Sequence, residues 1–306
     1  MDNLEIKVVA IGAANIDVQG FPERPLTMRD SNPGQVRTCP GGVARNIAEN
    51  LARLGIPVAL ITALGDDPEG ERIRESCRGP GISLEYSMTV KGHASSSYIA
   101  ILDENGDLAL ALSDMSILEH LGEDHLRSCL PLLSQASVIV ADACLTAGAL
   151  RWLANELQGA KIYIDPVSTG KCPRMEEIAG RFYCIKMNRI EAAYLAGMPI
   201  ENDSDLKEAS RRLLIRGVKR LYITLGAEGV FFADEKHAGK VPAFPVRPVS
   251  ATGAGDAFTA AAVYGDLLGW SMEETTRFAV RASSLTLLSR RTVSERMSVA
   301  AAEALQ

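Results

Sequence analysis

The run Ala251-Thr252-Gly253-Ala254-Gly255-Asp256-Ala257-Phe258 leads into an Ala-rich stretch with helical character through Leu268. Small residues there let main-chain amides approach an anion closely, and a helix start adds the positive end of its dipole. Gly253, Ala254 and Gly255 thus spell an anion cradle. A carboxylate inside such a cradle is costly as structure. It makes chemical sense if Asp256 must take a proton from a nucleophile attacking phosphorus. The competing reading is a tight loop with Asp256 as an N-terminal cap. Other chemistries lack their signatures. GxxxxGK[ST] is absent, no GxGxxG follows a strand, and neither HExxH nor GxSxG occurs. The four histidines, at 93, 120, 125 and 237, are scattered and read as surface residues. The six cysteines form no CxxC pair, so neither a zinc knuckle nor a thioredoxin-type site is indicated.

The elements that must carry this turn follow an alternating pattern. Ile6 to Ile11 is a short β-rich apolar run closed by Gly12, and from Gly42 to Leu54 Val43, Ile47, Leu51 and Leu54 recur at helical spacing before Gly55. Pro57 to Leu64, Ser137 to Val140, Ala160 to Ile164, Phe182 to Met187 and Lys219 to Leu225 read as further buried strands. Helical stretches such as Leu145 to Leu157 and Asp203 to Ile215 separate them. This alternation predicts an α/β fold with a mostly parallel sheet covered by helices on both faces. Two regions break the rhythm. Val18 to Cys39 carries Pro and Gly at non-helical spacing, and Ser95 to Leu112 reads as two strands turning at Glu104-Asn105-Gly106. They predict a small antiparallel sheet appended to the main one. No internal repeat, low-complexity tract or linker divides the chain.

The chain has 306 residues, 47% of them hydrophobic and 23% charged, enough for a sizeable core and against wholesale disorder. The formal charge is −6 and no basic stripe occurs, which argues against a nucleic-acid partner. The N-terminus lacks the pattern of a secretory signal, and no apolar run approaches the roughly 18 residues that cross a bilayer. These features predict a soluble protein of a reducing cytoplasm with no membrane partner.

Gly41-Gly42-Val43-Ala44-Arg45-Asn46, followed far downstream by TGAGDAF from Thr252, resembles the paired signatures of the PfkB, or ribokinase-like, carbohydrate kinases. The similarity runs from Ile6 to about Ser289. Within that family the chain looks most like the branch that phosphorylates pseudouridine. The matching segments are Ala14 to Val18, Asp30 to Gly34, GGVARNIAENLARLG from Gly41, Ser96-Ser97-Tyr98, Asp114-Met115, and Asp165-Pro166-Val167-Ser168 with Lys171 behind them. The resemblance implies a ribokinase-like three-layer α/β/α kinase domain over residues 1–306, with strands of an antiparallel β lid inserted at about 18–40 and 95–112. It also implies ATP and Mg²⁺ as cofactors, a nucleoside acceptor phosphorylated at its 5′-hydroxyl, and a homodimer formed through the lid.

Roles carried over by that resemblance are as follows. Asp256 becomes the catalytic base, with the amides of Gly253, Ala254 and Gly255 stabilising the transferred phosphoryl group. Asn15 and Asp17, at the end of the first strand, bind ribose hydroxyls with Gly41, Gly42 and Asn46. A turn cap at Asp17 and a solvated helix position at Asn46 compete with those roles. Asp30, Ser31, Asn32 and Ser97 close over the nucleoside from the lid, and Asp114 meets the base or else terminates the hairpin. Asn188 and Glu191 match an Asn-x-x-Glu element that organises magnesium, Glu191 acting through water. A plain helix start capped by Asn188 competes. Thr224, Gly226 and Gly229 flank the nucleotide. Ser250 stands where the family's second signature begins with Asp, which weakens any monovalent-cation (K⁺) site.

Overall fold

A computed structural model describes residues 5–305. In chain order its strands are β1 (Val8–Ile11), β2 (Asn15–Pro22), β3 (Gly34–Gly41), β4 (Val58–Ile61), β5 (Ala63–Gly65), β6 (Met88–Val90), β7 (Ser97–Leu102), β8 (Leu108–Asp114), β9 (Val138–Asp142), β10 (Ile162–Asp165), β11 (Cys184–Asn188), β12 (Arg220–Thr224), β13 (Val230–Asp234) and β14 (Ala238–Val241). The central sheet has the order β14-β13-β12-β11-β10-β9-β1-β4. From β12 to β4 every pairing is parallel, whereas β13 and β14 add an antiparallel edge.

The apolar runs read from sequence form these strands because a parallel sheet is buried on both faces, so its strands need no polar alternation. Alternate side chains feed two separate cores. Val9, Ile11, Ile139 and Ile164 pack in one with residues of the Ala147–Glu156 and Asp203–Ile215 helices. Val8, Ala10, Val140 and Tyr163 pack in the other with residues of the Val43–Arg53, Ala254–Leu267 and Met272–Leu287 helices. Helix, sheet and helix are therefore three layers.

The second sheet, the appended one expected from the sequence and here termed the lid, runs β3-β2-β7-β8. Its outer pairings are antiparallel, and its central pair, β2 with β7, is parallel. The lid strands begin at Asn15 and Ser97 and reach Gly41 and Asp114, a few residues from the bounds read in the sequence. The difference has a physical source. Asn15, Ile16 and Asp17 are buried where β2 leaves the core, and the Gly and Pro that mark the region begin only further out, at Gly20. The β7–β8 connection turns at Asn105-Gly106, with Gly106 at φ 86° and the Asp103 carboxylate accepting the amides of Asn105 and Asp107.

Candidate active site

Asp142 ends β9, Asp165 ends β10, Asn188 ends β11 and Thr224 ends β12, and register places Asp165 beside Asp142 and Asn188 beside Thr224. These positions lie along the carboxyl edge of the parallel strands, where open α/β sheets bind their ligands. The Ala254–Leu267 helix begins here. Gly253 caps it at φ 83°, and a Cβ at this position would lie 1.9 Å from the Thr292 carbonyl oxygen, so only glycine fits. First-turn amides of a helix have no intrahelical acceptor and face outward with the dipole's positive end. A cleft of about 660 Å³ opens beside them, lined by Thr224, Gly226, Gly229, Ala254 and Gly255. All five were named from sequence. Its far wall, from Ala243 to Pro248, was not, since a Pro-containing loop carries no distinctive signal.

Asp256 lies in the helix's first turn, is only 9% exposed, and accepts a hydrogen bond from Asn46 Nδ2 at 2.8 Å. Burial is the largest influence on its carboxyl and raises its pKa, and Asp165 adds to the rise. Lys186 and the Asn46 amide pull it down, Asp142 pushes it slightly up, and it settles at about 7. Such a group is half ionised at neutral pH, as a general base should be. Lys186 Nζ sits 3.0 Å from Asp165 Oδ2 and close to Gly255, where a Cβ would lie 2.5 Å from it. Burial works against its charge, but Asp165 and Asp256 hold the ammonium above the ordinary lysine value.

On the other side of Asn46 lies a second wall. Asn15 Nδ2 donates to Asp17 Oδ1 at 2.7 Å, and both residues are buried. Desolvation raises the Asp17 pKa, with Asn15 and Arg45 opposing the rise. A Cβ on Gly41 would lie 2.2 Å from Asp17 Oδ2, which explains the first glycine of the pair. Gly42, at φ 98°, starts the Val43–Arg53 helix, and a Cβ there would meet the Ala13 carbonyl at 2.4 Å. Buried Asp142 ties this wall together. Its carboxylate accepts the amides of Ala13 at 2.8 Å, Ala44 at 3.0 Å and Cys144 at 2.9 Å.

The structure thus gathers Asn15, Asp17, Gly41, Gly42, Asn46, Gly253, Ala254, Gly255 and Asp256 around one carboxyl edge. Asn46 is buried, which removes the reading of it as a solvated helix position. Other named residues are engaged locally. Asp30 accepts the Ser31 amide, and Asn32 bonds to the main chain of Thr27 and Asp30 in the exposed β2–β3 loop. Ser97 pairs with Asp114 at the lid base, and Asp114 accepts the amide and hydroxyl of Ser116. Asn188 and Glu191 form a capping box at the start of the Arg189–Ala196 helix. Glu191 uses Oε2 on the Asn188 amide. Among the described residues no three His, Cys, Asp or Glu side chains are grouped to hold a metal. Sequence reasoning gave no role to Asp142, Asp165, Lys186, Arg45 or Thr292. Arg45 and Asp165 lie inside segments that carried the resemblance, whereas Asp142, Lys186 and Thr292 are marked out by burial, which is not written in a linear pattern.

A positive helix start, a cleft beside it and a buried carboxyl raised to about 7 are what a phosphotransferase acting on an alcohol requires. The profile of the pfkB family carbohydrate kinases matches residues 5–297, and the chain belongs to that family. It is 34% identical over 281 residues to the pseudouridine kinase of Escherichia coli strain K12, covering 92% of this chain and 90% of that one. It is 32% identical to the uncharacterized sugar kinase YeiI of the same organism, covering 91% of this chain and 77% of the other. The structure of Arabidopsis thaliana ribokinase with ribose and ATP superposes with a TM-score of 0.86 at 23% identity, covering 99% of this chain and all of that one. The fold is accordingly ribokinase-like. Among the described residues no helix is long and apolar enough to cross a membrane.

Proposed function

We propose that this kinase transfers the terminal phosphoryl group of ATP to the 5′-hydroxyl of pseudouridine, giving pseudouridine 5′-phosphate and ADP. The observation that carries the reading is Asp256, buried at the anion-binding helix start with a pKa of about 7 and steadied by Asn46. The match to a pseudouridine kinase over most of both chains supports the choice of acceptor.

Asn15, Asp17, Gly41, Gly42 and Asn46 hold the ribose against bare backbone, and Asp256 accepts the 5′-hydroxyl proton as that oxygen bonds to phosphorus. The bond from phosphorus to the bridging oxygen breaks and ADP leaves. Amides of Gly253, Ala254 and Gly255 compensate the charge spreading over the transferred oxygens, the main task in phosphoryl transfer. Nucleotide lies in the cleft past Thr224, Gly226 and Gly229, with Asn188 at its edge. When bound, magnesium neutralises phosphate charge, and Glu191 would hold one of its waters. Ser250 offers a hydroxyl and no carboxylate, so we expect activity without K⁺. Asp30, Ser31, Asn32 and Ser97 belong to the lid that closes over the nucleoside, and Asp114 stands at its base.

The lid also gives a reason to dimerise. Register aligns Val18, Ile99 and Leu112 in one row and Val36, Ile101 and Leu110 in the next, on a single face. Leu108, Leu110 and Leu112 are 56%, 56% and 64% exposed. We propose that a second copy of the chain covers this face. Six free cysteines fit a reducing cytoplasm.

A second reading, a kinase of another nucleoside or a sugar, is favoured by the 32% match to a sugar kinase. A non-catalytic nucleoside-binding regulator is disfavoured by the tuned Asp256. Measuring ADP release with pseudouridine, uridine, inosine and ribose separates them. Preference for pseudouridine is expected, turnover with ribose alone selects the second reading, and no turnover with any acceptor selects the regulator.

A further inference from the structure

Arg45 is a buried guanidinium in the first turns of the Val43–Arg53 helix, 2% exposed. Its three nitrogens act in three directions. Nε donates to the Gly41 carbonyl at 3.1 Å, Nη1 to Glu49 Oε2 at 2.7 Å, and Nη2 to Asn46 Oδ1. Arginine has only donors, so the Asn46 atom facing it must be the oxygen. The Asn46 NH₂ is then forced toward Asp256, whose carboxylate can only accept when ionised. The Thr292 hydroxyl lies 3.4 Å from the same Asn46 oxygen.

Resting on the reading of Asp256 as the base, we propose that Arg45 is a positioning residue for phosphoryl transfer: it fixes the Asn46 amide so that its NH₂ group holds Asp256 in place. The same guanidinium anchors the carbonyl of Gly41, the glycine that lies directly against Asp17. One side chain therefore sets both the base and the acceptor wall. Glu49 serves a different end. Its second oxygen is held by Arg53 at 2.7 Å, so it keeps a partner if Arg45 is shortened. The charged groups facing Asp256 are Asp165 and Lys186, with Asp142 behind them, and none of these bonds to Arg45.

The test compares Arg45→Lys, Arg45→Met, Glu49→Gln, Asn46→Ala and Asp256→Asn in the full chain, each first checked for native melting. Turnover is then followed against pH with pseudouridine and ATP. Losing the Asn46 bond removes an influence that lowers the Asp256 pKa, so the acid limb of kcat should move to higher pH, by about one unit in the Arg45 variants. At pH 7 kcat should fall about fivefold, as the ionised fraction drops from about a half to about a tenth, and by more than KM rises. Glu49→Gln should leave the limb in place. In the Asn46→Ala background, Arg45→Met should add little, because both remove one interaction. Losses that are equal in Arg45→Lys and Glu49→Gln, or fully additive with Asn46→Ala, would show a purely structural arginine and overturn the proposal. The reading beneath it is judged separately. If Asp256→Asn keeps normal turnover, the base is misassigned, whereas a dead Asp256→Asn with an unmoved limb in the Arg45 variants defeats this inference alone.

Discussion

The carboxyl edge of the central sheet and the lid sheet above it are built on opposite terms. At the edge, buried Asp142, Asp165, Lys186, Arg45, Asn46 and Asp256 hold one another or the main chain through directed bonds. On the lid, large apolar side chains face solvent while polar loop residues satisfy only their own neighbours. A floor with its groups already aimed can stabilise charge without reorganising during reaction. The lid leaves a row of leucines open to solvent, the face that the proposed second copy would cover. The edge joins two recognisable signatures through the Asn46–Asp256 bond, whereas the lid's polar loop residues bond only within their own turns.

The sharpest way to break that contrast is Asp256→Asn. We expect kcat to fall by about 10² to 10⁴, the usual size of a general-base contribution, with nucleoside and nucleotide affinities kept by calorimetry. Normal turnover would remove the tuned floor from the account. Asp142→Asn comes next. It places an amide NH₂ among three main-chain N–H donors, and equilibrium unfolding should show a loss of about 3 kcal/mol. A change under about 0.5 kcal/mol would mean that the floor is not held as described.

The pH dependence follows from Asp256 in the wild type. Its pKa is raised to about 7 and the working form is the carboxylate, so kcat should rise as pH climbs through 7. About one pH unit below that point activity should stand at roughly a tenth of its alkaline plateau. An ordinary carboxylate profile, flat from pH 5 upward, would contradict the burial that sets this value.

How much of this was legible depended on whether a residue's role leaves a pattern. Asp256 and Asn46 could be named because each sits in a glycine-rich signature, and the fold brings the two signatures into direct contact. The parallel strands were readable from their apolar runs, and the lid hairpin from Asn105-Gly106. Arg45, Glu49 and Arg53 recur every fourth residue, a spacing that reads equally well as a solvated helix face, yet Arg45 and Glu49 are buried. Asp142 looks like the polar end of an ordinary strand. The β13–β14 edge followed β12 without the helix that alternation leads one to expect.

Two changes on the lid sharpen the comparison from its weaker side. Leu112→Glu places a charge on the exposed apolar face. It should convert a dimer to monomers in sedimentation while each protomer keeps its melting behaviour within about 0.5 kcal/mol, since the site is 64% exposed. A protein that sediments as a monomer without the change would leave that face to another partner.

Asp114→Ala carries the smallest expected effect. The carboxylate holds the Ser116 amide at 3.0 Å and its hydroxyl at 2.7 Å, and these bonds lower its pKa, so it is ionised and already engaged in closing the turn after β8. It also pairs with Ser97 in the same alternation as Ile99 and Leu112, whereas Asp17 aligns with Tyr98 and Cys39 on the opposite face. Removing an exposed turn bond of this kind should cost about 1 kcal/mol of stability or less. Both pseudouridine and uridine should then suffer the same small change in kcat/KM. Pseudouridine differs from uridine by a ring N–H where the glycosidic nitrogen would be, and a carboxylate that read that proton would lose pseudouridine selectively. A selective loss would therefore bring Asp114 across the lid to the base and make the strand's outer face part of the substrate pocket.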